Sequence, residues 1–436
     1  MDKTDIKLVA SGVDAQRPSS GRSPDVTGHA EAGTTGTRPD VAAASTSGEP
    51  PREHPASERS AQERSPQVRP VDSEAERSAG ARRDAPVIGL LTSVGATLDA
   101  FFLEIAERWR EQGAVVEPAA GSLAETFDRS AVLPSITRKP SARNWRARAE
   151  LREWVRDKGI DVVITNTATA SMLVRAAGVG VPVVYFCHGL HWNGNHLADL
   201  PFRAVERALV PRTDGIVCIN SADQEWFDRH AASTPRLRLL GGVGLDTERF
   251  VRRPEMPWRE GEEPLRMVWC GEFSHRKNPA AAVQLAHHLA DRGIDVTLDM
   301  LGSGPLFDDP SSSSPIEGLV RRHGVADPVP HFERSHVLVQ TARWEGLPRV
   351  GLEAIAIGLP AVGFDVKGVR DLPAVQLAPE DDIARLADCV LSAARGQGPA
   401  LPAAETLSYV HAADTLLEFA QFVRAGRFPR GRIYAA

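Results

Sequence analysis

From Ala85 onward the chain alternates short uncharged apolar runs with longer stretches whose apolar residues recur every three or four positions. "PVIGLLTS" reads as a buried strand, "LDAFFLEIAERWREQG" as an amphipathic helix closed by Gly113, and "AVVEPAA" as the next strand. The helix "ARNWRARAELREWVRDKG" and strand "DVVITN" follow, then the helix "ASMLVRAAGVG" and strand "VPVVYFCHG". The helix "LPFRAVERALVPR" and strand "DGIVCIN" continue the pattern. Strands separated by helices can pair in parallel only through crossovers that cover both sheet faces, so the alternation predicts an α/β doubly wound sheet.

The pattern breaks at "VRRPEMPWREGEEP", a polar, Pro-rich stretch read as an interdomain linker, and restarts with "LRMVWCGEF". The helix "PAAAVQLAHHLADRG", strand "DVTLDMLGSG", helix "PIEGLVRRHG", strand "SHVLVQTA", a helix from Gly351 and the strand "LPAVGFD" complete a second unit. The expected organisation is a tail over 1–84, a first Rossmann-like domain over 85–253, a second over 254–410, and a closing helix and tail over 411–436. Residues 1–84 are Ser, Pro, Gly and Arg-rich with few large apolar side chains, a composition that cannot offset its ordering entropy and reads as disordered.

With 51 basic and 57 acidic residues the net charge is -6, which does not suggest a nucleic-acid partner. Cys187, Cys218, Cys270 and Cys389 lack metal-ligand spacing and read as buried thiols in a reducing compartment. The opening "MDKTDIKLVASG" has no signal-peptide core, and no uncharged run reaches membrane-spanning length. The expected location is therefore cytoplasmic, with peripheral contact at the inner face of the cell membrane left open.

Ligands of open parallel sheets bind beyond the carboxyl ends of the strands, so the informative residues are those just after strands. "SHVLVQTA" delivers "RWEGLPRVGLEA", which places Glu345 at a strand end and Glu353 in the first turns of a helix. The amides from Gly346 to Gly351 between them open a helix N-terminus suited to a diphosphate. A nucleotide-diphosphate sugar fits this arrangement, with hydroxyl-bearing rings at either carboxylate; a solvated helix start with two surface glutamates fits the bare spacing as well. Glycosidase carboxylates must flank one bond, usually from different elements. "VVYFCHG" puts His188 at the strand edge of the first domain, as catalyst or as structural hydrogen-bonder. "GEFSHRKNP" puts Arg276 and Lys277 ahead of a helix, where cations can neutralise a leaving diphosphate or simply face solvent. "LGSGPL", with Gly304, is a partial glycine fingerprint.

On these segments the chain resembles the retaining glycosyltransferases of family 4, which have the two-Rossmann GT-B architecture. The carriers are "EGLPRVGLEAIAIGLPAVGFDVKGVRDL", similar to that family's E-x(7)-E segment, "GEFSHRKNP", similar to its phosphate loop, and "LGSGPL", similar to its Gly-x-Gly turn. "YFCHGLHW", "ERALVPRTDGIVCINSADQEWF" and "GGVGLDTERF" look like the branch that acts on lipid-diphosphate-linked precursors of bacterial polysaccharides.

The resemblance implies that Glu345 contacts the donor sugar, Glu353 the ribose, Arg276 and Lys277 the diphosphate, and His188 the sugar or acceptor side. It also implies substrate-binding roles for Gly346, Gly351 and Gly304. It implies a hexosyl transfer with retention by a front-face route, with no metal and no cofactor beside the nucleotide-sugar co-substrate, which is expected to be UDP-linked. The acceptor would be a glycan, a lipid-linked saccharide or a small molecule. The segment "RKPSARNWRARAELR", with Trp145 among arginines, reads as a lipid-diphosphate or bilayer contact or as a solvated helix face.

The chain departs from the family pattern at three places. Glu272 stands where many relatives have Arg, "ITNTA" replaces a histidine-bearing segment, and only "ERS" separates the expected strand "PVPHF" from "SHVLVQTA". The missing helix there keeps a second reading: a weak or inactive GT-B protein that binds a nucleotide-sugar or a partner enzyme. A dinucleotide-dependent oxidoreductase is disfavoured, because neither first strand is followed by GxGxxG.

Overall fold

The computed structural model describes residues 85–127, 129–190, 192 and 197–426, together with the backbone of 433–435. The tail assigned to 1–84 lies outside the described residues. The first half runs β1 (Val87–Thr92), α1 (Gly95–Phe101), α2 (Leu103–Glu111), β2 (Val115–Ala120), β3 (Ala131–Val132) and α3 (Ala147–Asp157). It continues with β4 (Val162–Thr165), α4 (Ala168–Ala177), β5 (Val183–Cys187), α5 (Leu200–Leu209), β6 (Gly215–Cys218), α6 (Ser221–His230) and β7 (Arg236–Arg238). The second half runs β8 (Leu265–Cys270), α7 (Pro279–Asp291), β9 (Val296–Leu301), β10 (Val320–Arg322), α8 (Val329–Arg334) and β11 (Val337–Gln340). It ends with α9 (Arg349–Ile357), β12 (Ala361–Phe364), β13 (Gln376–Ala378), α10 (Ile383–Ala394), α11 (Tyr409–Arg424) and β14 (Ile433–Ala435).

These strands form two parallel sheets, β14-β7-β6-β5-β4-β1-β2-β3 and β10-β9-β8-β11-β12-β13. In each the order reverses beside the first strand, at β1/β4 and at β8/β11, which opens a crevice at the carboxyl edge. Central strands such as "VVYFC", "GIVC" and "VLVQ" are buried throughout, as sheets covered on both faces require. The helix-forming segments are punctuated as their residues dictate. Asn220 caps α6 through its side chain, Asp382 caps α10, and left-handed Gly178 and Gly358 close α4 and α9.

Two readings of the second half need correction. "PIEGLVRRHG" is not a helix; its residues Val320–Arg322 are the edge strand β10. "PVPHF" is not a strand but the body of α8, whose sequence is VPHFER, with Pro330 in the first turn where a missing N–H costs nothing. The β10-to-β11 crossover therefore has its helix, and the apparent shortening before β11 disappears. The misreading is physical in origin. β10 is an edge strand with two exposed arginines, so it carries no apolar signature, while the prolines of α8 mimic a strand boundary.

The polar stretch read as linker is packed against the second sheet. The Arg253 amide donates to the Ile357 carbonyl (2.8 Å), and the Trp258 amide to the Ala394 carbonyl (2.7 Å), with the indole 4% exposed. The chain crosses earlier, at Leu245, whose amide donates to Leu407 O (2.8 Å) while the Tyr409 amide donates back to Leu245 O (2.9 Å). From that crossing α11 returns to the first domain. The Trp109 indole N–H donates to Ala413 O (2.7 Å), and the Arg108 guanidinium grips Asp414 at 3.0 and 3.2 Å. Gly215 of β6 leaves the space that Phe419 and Val423 fill.

Between α4 and α5, Arg175 is fully buried against Glu206 (2.5 and 3.0 Å) and stacks 4.3 Å over the Tyr185 ring. Removing one partner strands a buried charge, whereas removing both does not. Arg175→Met should lower the first domain's unfolding free energy by about 3–5 kcal/mol in urea titration, and Arg175→Met with Glu206→Leu should recover most of that loss.

Candidate functional site

The site is assembled on three turns of the second domain that meet at the β8/β11 crevice. After β8 the chain forms the turn Gly271–Asn278, whose last residue is left-handed (φ 51°). Thr341, just past β11, holds this turn by accepting from the Trp269 indole (3.0 Å) and donating to Asn278 O (2.8 Å). The Gly302–Gly304 turn after β9 lies directly on it. A Cβ on Gly302 would stand 1.8 Å from Gly271 O, and one on Gly304 2.6 Å from Phe273 O. Only glycine permits that approach, and both have positive φ.

The turn carries Arg276 and Lys277 to Glu345. The Arg276 guanidinium donates to Oε2 at 2.7 Å, and the Lys277 ammonium stands 2.5 Å from Oε1 as an ion pair outside hydrogen-bond geometry. Glu345 is 6% exposed and Lys277 5%. So enclosed a carboxylate needs its charge compensated, and these cations supply it. Glu353, in the second turn of α9, pairs with Arg349 at 3.2 Å. Its charge and that of Lys277 both act on the Cys270 thiol, which burial pushes up to about 12, so Glu353 shares this neighbourhood.

The first domain closes the other side. A Cβ on Gly346 would lie 2.1 Å from His188 O, and Gly189, at φ 127°, faces Gly346. His188 packs among aromatic rings, 4.4 Å from Phe186 and 5.4 Å from Phe101 between centroids, and its Nε2 is buried without a partner. Burial depresses its pKa to about 3, so the imidazole is neutral near pH 7.

The structure thus brings together Arg276, Lys277 and Glu345, sets Gly304 on their turn and Gly346 against His188. It places Gly351 differently. The Gly351 amide donates to Pro348 O (3.0 Å), and its missing Cβ makes room for Leu372, so this glycine is a packing residue and its amide is not free for an anion.

Sequence reading missed the turn after β12, where Lys367, 7% exposed, reaches the first domain's Asp223 at 2.6 Å. A lysine just past a strand end was the available signal. Asp299, His323 and His331 place three possible ligand atoms within 4.8 Å of one another. The Arg334 guanidinium already fills the gap, 3.0 Å from Asp299 and 2.5 Å from His331, and a cation there opposes a metal ion.

Comparison with known proteins matches this chain to two family descriptions. "Glycosyltransferase Family 4" covers residues 100–240 and "Glycosyl transferases group 1" covers 264–395, between them more than half of the chain. EpsF of Bacillus subtilis (strain 168) is 30% identical over 224 residues, 46% of this chain and 55% of EpsF. The chain thus spans about half the length of EpsF. The Escherichia coli UDP-Gal:alpha-D-GlcNAc-diphosphoundecaprenol alpha-1,3-galactosyltransferase is 22% identical over 57% of this chain and 70% of its own length. Anabaena HepE, solved with UDP and glucose, superposes with a TM-score of 0.57 at 16% identity, covering 77% of this chain and 100% of HepE. That likeness shows the GT-B fold.

The depressed His188 pKa has a thermodynamic consequence. Between pH 3 and its ordinary value of 6.5 the unfolded chain binds a proton that the native state refuses, so His188 lowers stability as pH falls through that window. Wild type should therefore lose more stability than His188→Gln between pH 6.5 and 4 in urea titrations, and the His188 ring resonances should not titrate above pH 5. An ordinary titration near 6.5 would contradict the buried, neutral imidazole.

Proposed function

The chain belongs to the family 4 glycosyltransferases, and from that premise we propose a hexosyl transfer from a nucleotide-diphosphate sugar, UDP-linked, to a hydroxyl of a lipid-linked saccharide. The setting is bacterial polysaccharide synthesis. The observation that carries this reading is the enclosed Arg276–Glu345–Lys277 cluster at the start of α9, facing His188 across the domain junction. In this reading Arg276 and Lys277, which pair with Glu345, take up the charge of the departing diphosphate. Glu345 then turns to the hydroxyls of the donor sugar. Glu353 receives the ribose hydroxyls, and the amides preceding Gly351 face the phosphates.

The transfer is balanced without an enzyme nucleophile. The acceptor oxygen bonds to the anomeric carbon on the face from which the diphosphate leaves, the carbon–phosphate-oxygen bond breaks, and the acceptor proton passes to the leaving phosphate. No metal or other cofactor is proposed. UDP is favoured because HepE was solved with it and the Escherichia coli relative is named for UDP-Gal. A lipid-linked acceptor is favoured because that relative is named for a diphosphoundecaprenol substrate.

No helix among the described residues is long and apolar enough to cross a membrane. Contact with such an acceptor would use the first domain, where Trp145, 75% exposed, lies beside Arg148, Arg152 and Arg156. We place the reaction at the cytoplasmic face of the membrane. The weak or inactive alternative was motivated by a missing crossover helix, which α8 supplies.

Thermal stabilisation by UDP, GDP, ADP and their sugar conjugates tests the donor site. UDP compounds should raise stability by about 2.7 kcal/mol at a hundredfold excess over Kd. Glu353→Ala should weaken UDP binding about tenfold to a hundredfold, the scale of lost charged hydrogen bonds. Glu345→Gln should retain UDP and lose about a hundredfold or more in turnover. No response to any nucleotide would overturn the proposal.

A further inference from the structure

Beyond the donor cluster, the turn after β12 makes polar contacts that join the two domains. The Lys367 ammonium leaves the second domain and meets Asp223 Oδ1 at 2.6 Å, Leu190 O at 3.0 Å and Trp192 O at 3.2 Å, all in the first domain. Its main-chain carbonyl meanwhile accepts the Glu345 amide at 2.9 Å. Gly368, next in the chain, has φ 80°, and a Cβ there would come within 2.5 Å of Glu345 O, so the turn lies flat against the Glu345 backbone.

Asp223 is equally committed. Its Oδ2 accepts from the Asn220 amide group (2.7 Å) and the Leu190 N–H (3.0 Å), and its side chain is 2% exposed. Leu190 is two residues beyond His188. A second tie of opposite polarity stands beside the first. Asp371 of the same turn accepts from the Ser221 amide (2.7 Å) and from Arg238 (2.9 Å), both in the first domain. Two buried carboxylates, one from each domain, thus face a cation of the other, an arrangement satisfied in only one register of the two halves.

The geometry points to Lys367 as a positioning residue of the transfer reaction: one side chain and its own carbonyl fix Glu345 of the donor half and the His188–Leu190 segment of the acceptor half in a single arrangement. This rests on the glycosyl-transfer reading for its catalytic meaning, but the clasp itself is a statement about the two domains. Lys367 touches no substrate in this account. Without its ammonium, Asp223 and two carbonyls would remain buried and uncompensated, and opening the junction to water would relieve them. The donor site lies within the second domain, so nucleotide binding should survive while the reacting groups lose alignment. Small misplacements of that kind cost about a hundredfold in rate.

The test uses the full chain labelled at Glu153→Cys and Glu317→Cys, exposed positions on the two domains, the four native cysteines being buried. Spin-label distances should be narrow in this background and broadened toward longer values by Lys367→Met. Asp223→Asn should reproduce that change, the double variant should be no worse than either single one, and Lys367→Arg should restore much of the narrow population. UDP affinity by calorimetry should stay within about threefold of wild type, while UDP release from UDP-galactose should fall about a hundredfold in kcat with little change in KM.

Superimposable distance distributions for Lys367→Met and wild type would overturn the clasp. So would parallel losses of UDP affinity, turnover and thermal transition, which would make Lys367 an ordinary stabilising residue; if Lys367→Met does not fold, Asp223→Asn and Lys367→Arg decide by the same distances. Failure of wild type to release the nucleoside diphosphate from any UDP-, GDP- or ADP-sugar would refute the glycosyl-transfer reading instead, and the distance comparison would still decide the clasp.

Discussion

A carboxylate cannot stay ionised inside a protein unless its charge is met there, and Glu345 imposes that demand on the whole second domain. Arg276 and Lys277 meet it from a turn after β8. That turn keeps its shape because Thr341 spans it and because the glycines after β9 let a second turn lie on top. The switch in strand order is what allows turns from β8, β9, β11 and β12 to converge at all. Local propensity, sheet topology and charge compensation therefore point at one place, the crevice at the switch in strand order.

The sheets were legible in the sequence because central parallel strands are buried on both faces and must be apolar throughout. "VVYFC", "GIVC", "VLVQ" and "AVGF" carry that signature. The edge strand β10 carries none: it is "VRR" with both arginines exposed, so it reads as part of a helix. The same error displaced α8 and created an apparent deletion. Among site residues, Glu345, Arg276 and Lys277 could be named because each follows a strand or heads a helix, places where chemistry collects. Gly351 could not be judged from sequence, since whether its amide faces an anion or Pro348 depends on the first-turn geometry of α9.

Lys367 and Asp223 lie about 140 residues apart on different domains, and no periodicity connects them. Their pairing exists only once both sheets are built and opposed. Each looks ordinary alone: an aspartate in a helix's first turn, where its charge suits the dipole, and a lysine in a loop. The sequence pattern describes layers well and describes what crosses between layers poorly.

The path of the chain at Leu245 and Ser408 carries one more consequence. Departure from the first domain and return to it occur side by side, as two segments hydrogen-bonded to each other, with glycine at 244, where φ is 74° and any Cβ would strike the Tyr409 backbone at 2.5 Å. Everything between those points is a cassette with adjoining ends. Such a cassette joins the rest of the chain at one structural seam through two junctions in sequence, so its exchange over evolution would leave the strands of the first sheet intact.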